Sequence, residues 1–200
     1  MNKKIWDLYA PIYKIAMRPD EKIYKLMYKR IPKVIKDRNV LEIATGPGLL
    51  AKKVAYSAKK MIATDYSEGM IEEAKKGSIP ENLTFEVADA TALPYDDNSF
   101  DVVIIANALH VMPEPEKALQ EIRRVLKNKG VLIAPNFVNH QMGFVSRVWS
   151  KILALAGVSF EHQWSTNEYK TFLENNGWKV VNCREMPARI SIAYTECVSK

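Results

Sequence analysis

Cysteine, histidine and glycine are all scarce in this 200-residue chain, which holds two, three and eight of them. Cys183 and Cys197 have no metal-type or redox-pair spacing. That excludes a disulfide framework and a cysteine-built zinc site, and leaves buried free thiols as the reading. No stretch reaches the roughly 18 uninterrupted apolar residues of a membrane span. Residues Met1 to Asp7 lack the apolar core of a secretory signal, so a cytoplasmic location is expected. Repeats, low-complexity tracts and interdomain linkers are missing too, and the length suits one domain with a sizeable core.

The net charge of +6 is unevenly placed. Residues 1–38 carry eleven Lys and Arg against four Asp and Glu, a local excess of +7. Two readings stand for that excess: attraction to an anionic substrate or membrane surface, or a solvated helix face. No nucleic-acid module accompanies it, so a nucleic-acid partner is not expected.

With glycine so sparse, Gly46 and Gly48 stand out. They follow an apolar run ending in an acid, Val40-Leu41-Glu42-Ile43-Ala44-Thr45, and precede a helical pattern. Strand, tight turn and helix start together let a backbone lie against a nucleotide-like ligand. Strand and helix patterns then alternate. Strands are expected at Val40–Ala44, Met61–Thr64, Leu83–Val87, within Phe100–Asn107, and at Val131–Pro135. Helices are expected over residues 20–36, Leu49–Ser57, Glu68–Lys76, Glu116–Leu126 and Thr166–Asn175, with Asn128-Lys129-Gly130 as a turn. The run Val102–Ala106 suits a parallel strand buried on both faces. Trp178–Arg184 and Arg189–Val198 read as an antiparallel pair joined near Met186-Pro187-Ala188. The order argues for a doubly wound α/β sheet.

Gly46-Pro47-Gly48-Leu49-Leu50-Ala51 satisfies the dinucleotide fingerprint, with Asp65 placed to hold a ribose hydroxyl. A second pattern covers more of the chain. Glu42–Gly48, Asp65-Tyr66-Ser67-Glu68-Gly69-Met70, Ala88-Asp89-Ala90-Thr91-Ala92-Leu93-Pro94, Ser99-Phe100-Asp101-Val102-Val103 and Arg124–Leu132 occur in sequence order across residues 40–135. In this the chain resembles the class I S-adenosylmethionine-dependent methyltransferases. Tyr9-Ala10-Pro11-Ile12-Tyr13 is similar to the entry of their small-molecule branch, which includes quinone and phospholipid methyltransferases.

The resemblance implies an α/β, Rossmann-like, mostly parallel seven-stranded sheet with an antiparallel last strand and a small helical cap. As one domain it would divide into a lid and helix (1–38), a cofactor-binding core (39–136), cap helices (137–176) and a C-terminal strand pair (177–200). The implied cofactor is S-adenosyl-L-methionine. Glu42 would position its amino acid moiety, along the turn of Ala44, Thr45, Gly46 and Gly48. Asp65 would bind the ribose, Tyr66 and Met70 would flank the adenine, and Asp89 and Ala90 would reach its edge. Asn107 closes the cofactor set from the end of strand four, and Tyr9, with Tyr13 and Trp6, would form a lid. Ala44 departs from the family's first glycine, and core packing of the lid aromatics stands as the alternative.

For the chemistry, His110 is the first candidate proton acceptor, against a capping or packing role, and Tyr13 is the second. His140 and His162 are weaker candidates, and no metal ligands are expected. The apolar stretch 144–156 reads as pocket wall, membrane contact or core. The expected partner is a small, lipophilic methyl acceptor, with peripheral membrane contact left open. An NAD-dependent oxidoreductase and a catalytically silent cofactor-binding protein are the alternative functions.

Overall fold

The computed structural model describes residues 6–8, 10–11, 21–138, 161–186 and 191–200. The apolar stretch 144–156, Tyr9, Tyr13, His140 and the expected turn at Pro187-Ala188 lie outside the described residues.

Among the described residues, eight strands form one sheet: β1 (Asn39–Ile43), β2 (Lys60–Asp65), β3 (Leu83–Val87), β4 (Phe100–Ile105), β5 (Leu126–Ile133), β6 (Asn136–Phe137), β7 (Trp178–Met186) and β8 (Ile192–Ser199). Their order is β3-β2-β1-β4-β5-β8, after which β6 and β7 both pair with β8. Pairings from β3 to β5 are parallel. The last strand, β8, runs antiparallel to β5, β6 and β7. The sheet is Rossmann-like and mostly parallel, as expected, with the two-residue β6 as an eighth strand too short to show in the pattern.

Alternation along β1 and β4 divides the core in two. Leu41, Ile43, Val103 and Ile105 face α4 (Pro115–Val125) and α5 (Thr166–Asn175), packing with Leu119, Ile122, Tyr169 and Leu173. Val40, Val102 and Ile104 face the opposite layer. There α1 (Glu21–Ile35), α2 (Leu49–Val54) and α3 (Glu68–Ala74) supply Met27, Ile31, Leu50, Val54 and Ile71. β4 reads as a continuous apolar run because both of its faces are covered.

Two boundaries differ from the sequence pattern. Leu126 extends the apolar face of α4, yet its backbone is already strand, paired with Phe100. The ladder resumes only at Val102↔Val131, so residues 127–130 bulge out opposite Asp101. Lys127 Nζ holds that carboxylate at 2.9 Å and Lys129 takes a left-handed φ of 67°. The expected turn at 128–130 is thus a bulge inside one strand. The helix expected over Leu49–Ser57 is α-helical only to Val54 and tightens into a 3₁₀ turn over Ala55–Ser57.

β1 pairs with β2 on one side and β4 on the other, so the chain order reverses at β1–β4. In open α/β sheets a crevice opens beyond the carboxyl ends of the strands at such a point.

Candidate cofactor and methyl-transfer site

The crevice is there. A cleft is lined by Glu42, Ala44, Thr45 and Gly46 from the β1 end, Asp65 from β2, Met70 from α3 and Asn107 from beyond β4. Trp6 of the N-terminal segment borders it. A second cleft is lined by Tyr66, Asp89, Ala90 and Thr91. The two share Ala44 and Met112 as walls.

The turn that brings these groups together is held by Asp65. Its Oδ2 accepts the Gly46 N–H at 2.8 Å and its Oδ1 accepts the Ser67 N–H at 2.9 Å. One carboxylate therefore fastens the β1–α2 turn to the start of α3. Burial raises the Asp65 pKa, and these backbone donors offset part of that rise.

Glu42 shares the face of Val40, on the side of α2, and opens into the cleft only because β1 stops one residue later. It is fully buried, and loss of solvation raises its pKa to about 8, with nearby Asp65 adding to the rise. The Thr45 hydroxyl eases the carboxylate without completing a hydrogen bond to it.

Two non-glycine residues at the crevice sit in left-handed backbone, Ala44 at φ 55° and Asn107 at φ 53°. Left-handed geometry costs an L-residue about 1–2 kcal/mol, less for Asn, whose side chain can bond locally. Such strain gathers at ligand sites. Asn107 is pinned there by its N–H donating to the Pro135 carbonyl at 2.8 Å.

The polar lining is incomplete by itself. Six buried side-chain N or O atoms among the described residues have no hydrogen-bond partner, and four of them line the first cleft: Glu42 Oε2, Thr45 Oγ1, and Asn107 Nδ2 and Oδ1. Orphaned atoms buried side by side call for a ligand or water. As acceptors, Glu42 Oε2 and Asn107 Oδ1 suit an ammonium; as donors, Thr45 Oγ1 and Asn107 Nδ2 suit a carboxylate. An amino acid group carries both. No Lys or Arg is among the described residues lining either cleft, so neither offers a basic side chain to a pyrophosphate.

A family model described as a methyltransferase domain matches residues 41–134. Those residues contain the turn, Asp65, Asp89 and Asn107. Over those residues the chain is similar to methyltransferases. A demethylmenaquinone methyltransferase of Clavibacter sepedonicus is 33% identical over 129 residues, covering 64% of this chain and 53% of its own length. A ubiquinone/menaquinone biosynthesis C-methyltransferase, UbiE, of Rickettsia bellii is 40% identical over 119 residues, covering 54% and 47%. The chain thus spans about half the length of the curated relatives it matches. In fold, it is similar to a methyltransferase solved in complex with the Trm112 activator of Haloferax volcanii. That likeness has a TM-score of 0.82 at 20% identity and covers 100% of this chain and 97% of the other.

Within residues 41–134, the residues expected at the cofactor fall into three groups. Glu42, Ala44, Thr45, Gly46, Asp65, Met70 and Asn107 share the first cleft. Tyr66, Asp89 and Ala90 share the second, where Asp89 Oδ1 accepts the Thr91 N–H at 2.8 Å and shapes the loop. Gly48 lines neither. It precedes α2 at φ 72°, and a Cβ there would meet the Phe85 ring at 2.7 Å, so its place is packing beneath the turn.

His110 also lies behind the wall. Its 3₁₀ turn, Leu109–Val111, presents Val111 to the cleft while the imidazole is buried. Its Nδ1 pairs with Asn136 Oδ1 at 3.0 Å and its ring meets Phe137 edge-on. Burial lowers its pKa to about 4, with the Asn136 contact acting the other way, so the imidazole is neutral at pH 7. The His162 ring stacks on Trp164, and the His162 backbone N–H donates to the His110 carbonyl at 3.0 Å. Met112, which divides the two clefts, had no motif to mark it.

Proposed function

We propose that this chain transfers a methyl group from S-adenosylmethionine to a small, lipophilic acceptor. The observation that carries the reading is the first cleft, where buried acids and orphaned polar atoms face a space without a basic side chain. The cofactor supplies a methyl already activated on a sulfonium. Glu42, Thr45 and Asn107 hold its amino acid end, and Asp65 and Tyr66 the ribose and adenine side. Ala106, Ala108, Val111 and Met112 form an apolar wall that keeps water from the transfer. Once ionised, Glu42 and Asp65 attract a cation strongly in a partly dry cleft. An NAD-dependent reaction fits this lining poorly, because the pyrophosphate would meet carboxylates.

The acceptor class rests on the named activities of the quinone-pathway relatives, together with the apolar wall. The excess positive charge partly borders a groove between α1 and β7, where Lys29, Lys33 and Arg184 flank Leu26 and Val181. That supports contact with an anionic lipid surface. Sedimentation with phosphatidylglycerol vesicles, but not with phosphatidylcholine, is the expected result.

Calorimetry with S-adenosylhomocysteine tests the cofactor, and Asp65→Ala should abolish measurable binding. Uptake of NAD in its place would end the reading. Release of S-adenosylhomocysteine across a panel of quinols, phenols, thiols, amines and lipid head groups then identifies the acceptor. Binding without release on any acceptor would favour a silent cofactor-binding protein.

A further inference from the structure

We propose that Asp7 is a positioning residue that latches the N-terminal segment across the cofactor cleft, and that Gly69 is its seat. This deepens the cofactor reading above and rests on it. Asp7 Oδ1 accepts the Ser67 hydroxyl at 2.5 Å and the Gly69 N–H at 3.0 Å. Its neighbour in sequence, Trp6, is thereby set against the first cleft.

The hydroxyl proton count makes the contact directional. Ser67 Oγ already accepts the Met70 N–H at 3.0 Å as the cap of α3, so its single proton is left for an acceptor. The Ser67 N–H goes to Asp65 Oδ1. A continuous array therefore runs from Asp7 through Ser67 and Asp65 to Gly46, joining the lid to the acid and the turn assigned to the cofactor. Bonds to a charged acceptor are the stronger kind.

Gly69 supplies a separate observation. It does not adopt a positive φ, so its backbone does not require glycine. What it does have is a close neighbour. A Cβ there would lie 3.1 Å from the Asp7 Cα, 3.3 Å from the Asp7 carbonyl oxygen and 3.3 Å from Oδ1. All three of its nearest contacts belong to the lid residue, 62 positions away in sequence. Glycine stands there to let the lid backbone down onto α3.

The test compares Asp7→Leu, Asp7→Asn and Gly69→Ala in the full chain. Asp7→Leu should raise the dissociation constant for S-adenosylhomocysteine by roughly tenfold or more, the loss expected for hydrogen bonds to a charged group. Asp7→Asn keeps an acceptor oxygen and should stay within about threefold of the natural protein. Gly69→Ala should weaken binding as Asp7→Leu does, although Ala is the better helix former. The double variant should be no worse than the poorer single one, since both remove the same contact. Urea midpoints report whether each variant folds. Equal affinity in the natural protein, Asp7→Leu and Gly69→Ala would overturn the latch. If the natural protein binds neither S-adenosylmethionine nor its product, the cofactor reading fails on its own. Hydrogen exchange at the Gly69 amide of the free protein then still decides the latch. It should be slow in the natural chain and fast in Asp7→Leu; equal rates would refute it.

Discussion

Glu42 gives the strongest quantitative handle on the site. With a pKa near 8, only about one molecule in ten carries the carboxylate at pH 7, and about one in a hundred at pH 6. A cationic ligand end selects the ionised form. Binding at pH 7 should therefore release about 0.9 proton, and affinity should climb roughly tenfold per pH unit between 6 and 7.5 before levelling above 8. Calorimetry of S-adenosylhomocysteine in buffers of different ionisation enthalpy measures the proton directly. Glu42→Gln cannot ionise. Its affinity should converge with that of the natural protein at low pH and fall behind as pH rises, a comparison in which titration of the ligand itself cancels. The same group acts on the ligand-free fold. The unfolded chain gives up this proton near pH 4.5 and the folded one only near 8, so folded stability falls as pH rises through that window. In Glu42→Gln that fall should be smaller. Heats that do not depend on the buffer at pH 7, with parallel affinity profiles for the two proteins, would refute the reasoning.

Other outcomes follow from the geometry of the turn and its surroundings. Ala44→Gly relieves left-handed strain of about 1–2 kcal/mol at φ 55° but adds freedom to the unfolded chain, for a net gain of about 0.5–1 kcal/mol. Thermal denaturation should move up by about 1–4 °C. Gly48→Ala, with its Cβ 2.7 Å from the Phe85 ring at φ 72°, should destabilise by about 2–4 kcal/mol in urea titration. The His110 ring should show no protonation between pH 5.5 and 8 by NMR, since burial holds its pKa near 4. A transition near 6.5 would reinstate it as an exposed proton carrier.

What the sequence made readable was local and periodic. The two-sided apolar run of β4, the short strand pattern of β3 and the helical pattern of α5 each declare themselves within a few residues. The carboxyl ends of β1 and β2 placed Glu42 and Asp65 at the crevice for the same reason. Features that depend on partners far along the chain were not readable. His110 follows β4 as a catalytic histidine would, but Asn136 draws its ring inward. Leu126 belongs to the helical stripe by spacing, and only Phe100 across the ladder makes it strand. Gly48 looks like a cofactor glycine until Phe85 is seen beneath it. Nothing near Asp7 announces Ser67 and Gly69.

The register of β1 against β2 and β4 has a consequence for how such a molecule can change. Glu42, Asp65 and Asn107 reach the cleft from or just beyond the ends of three neighbouring strands whose ladders fix one another, so none can move alone. The stretch from Ala108 to Glu114, beyond Asn107, belongs to no ladder of the sheet, and Ala108, Val111 and Met112 within it line the cleft. A descendant could exchange one acceptor for another by rewriting that stretch while inheriting the donor half untouched. Under the proposed function, substrate range is then the evolvable property of this chain, and the methyl source its fixed inheritance.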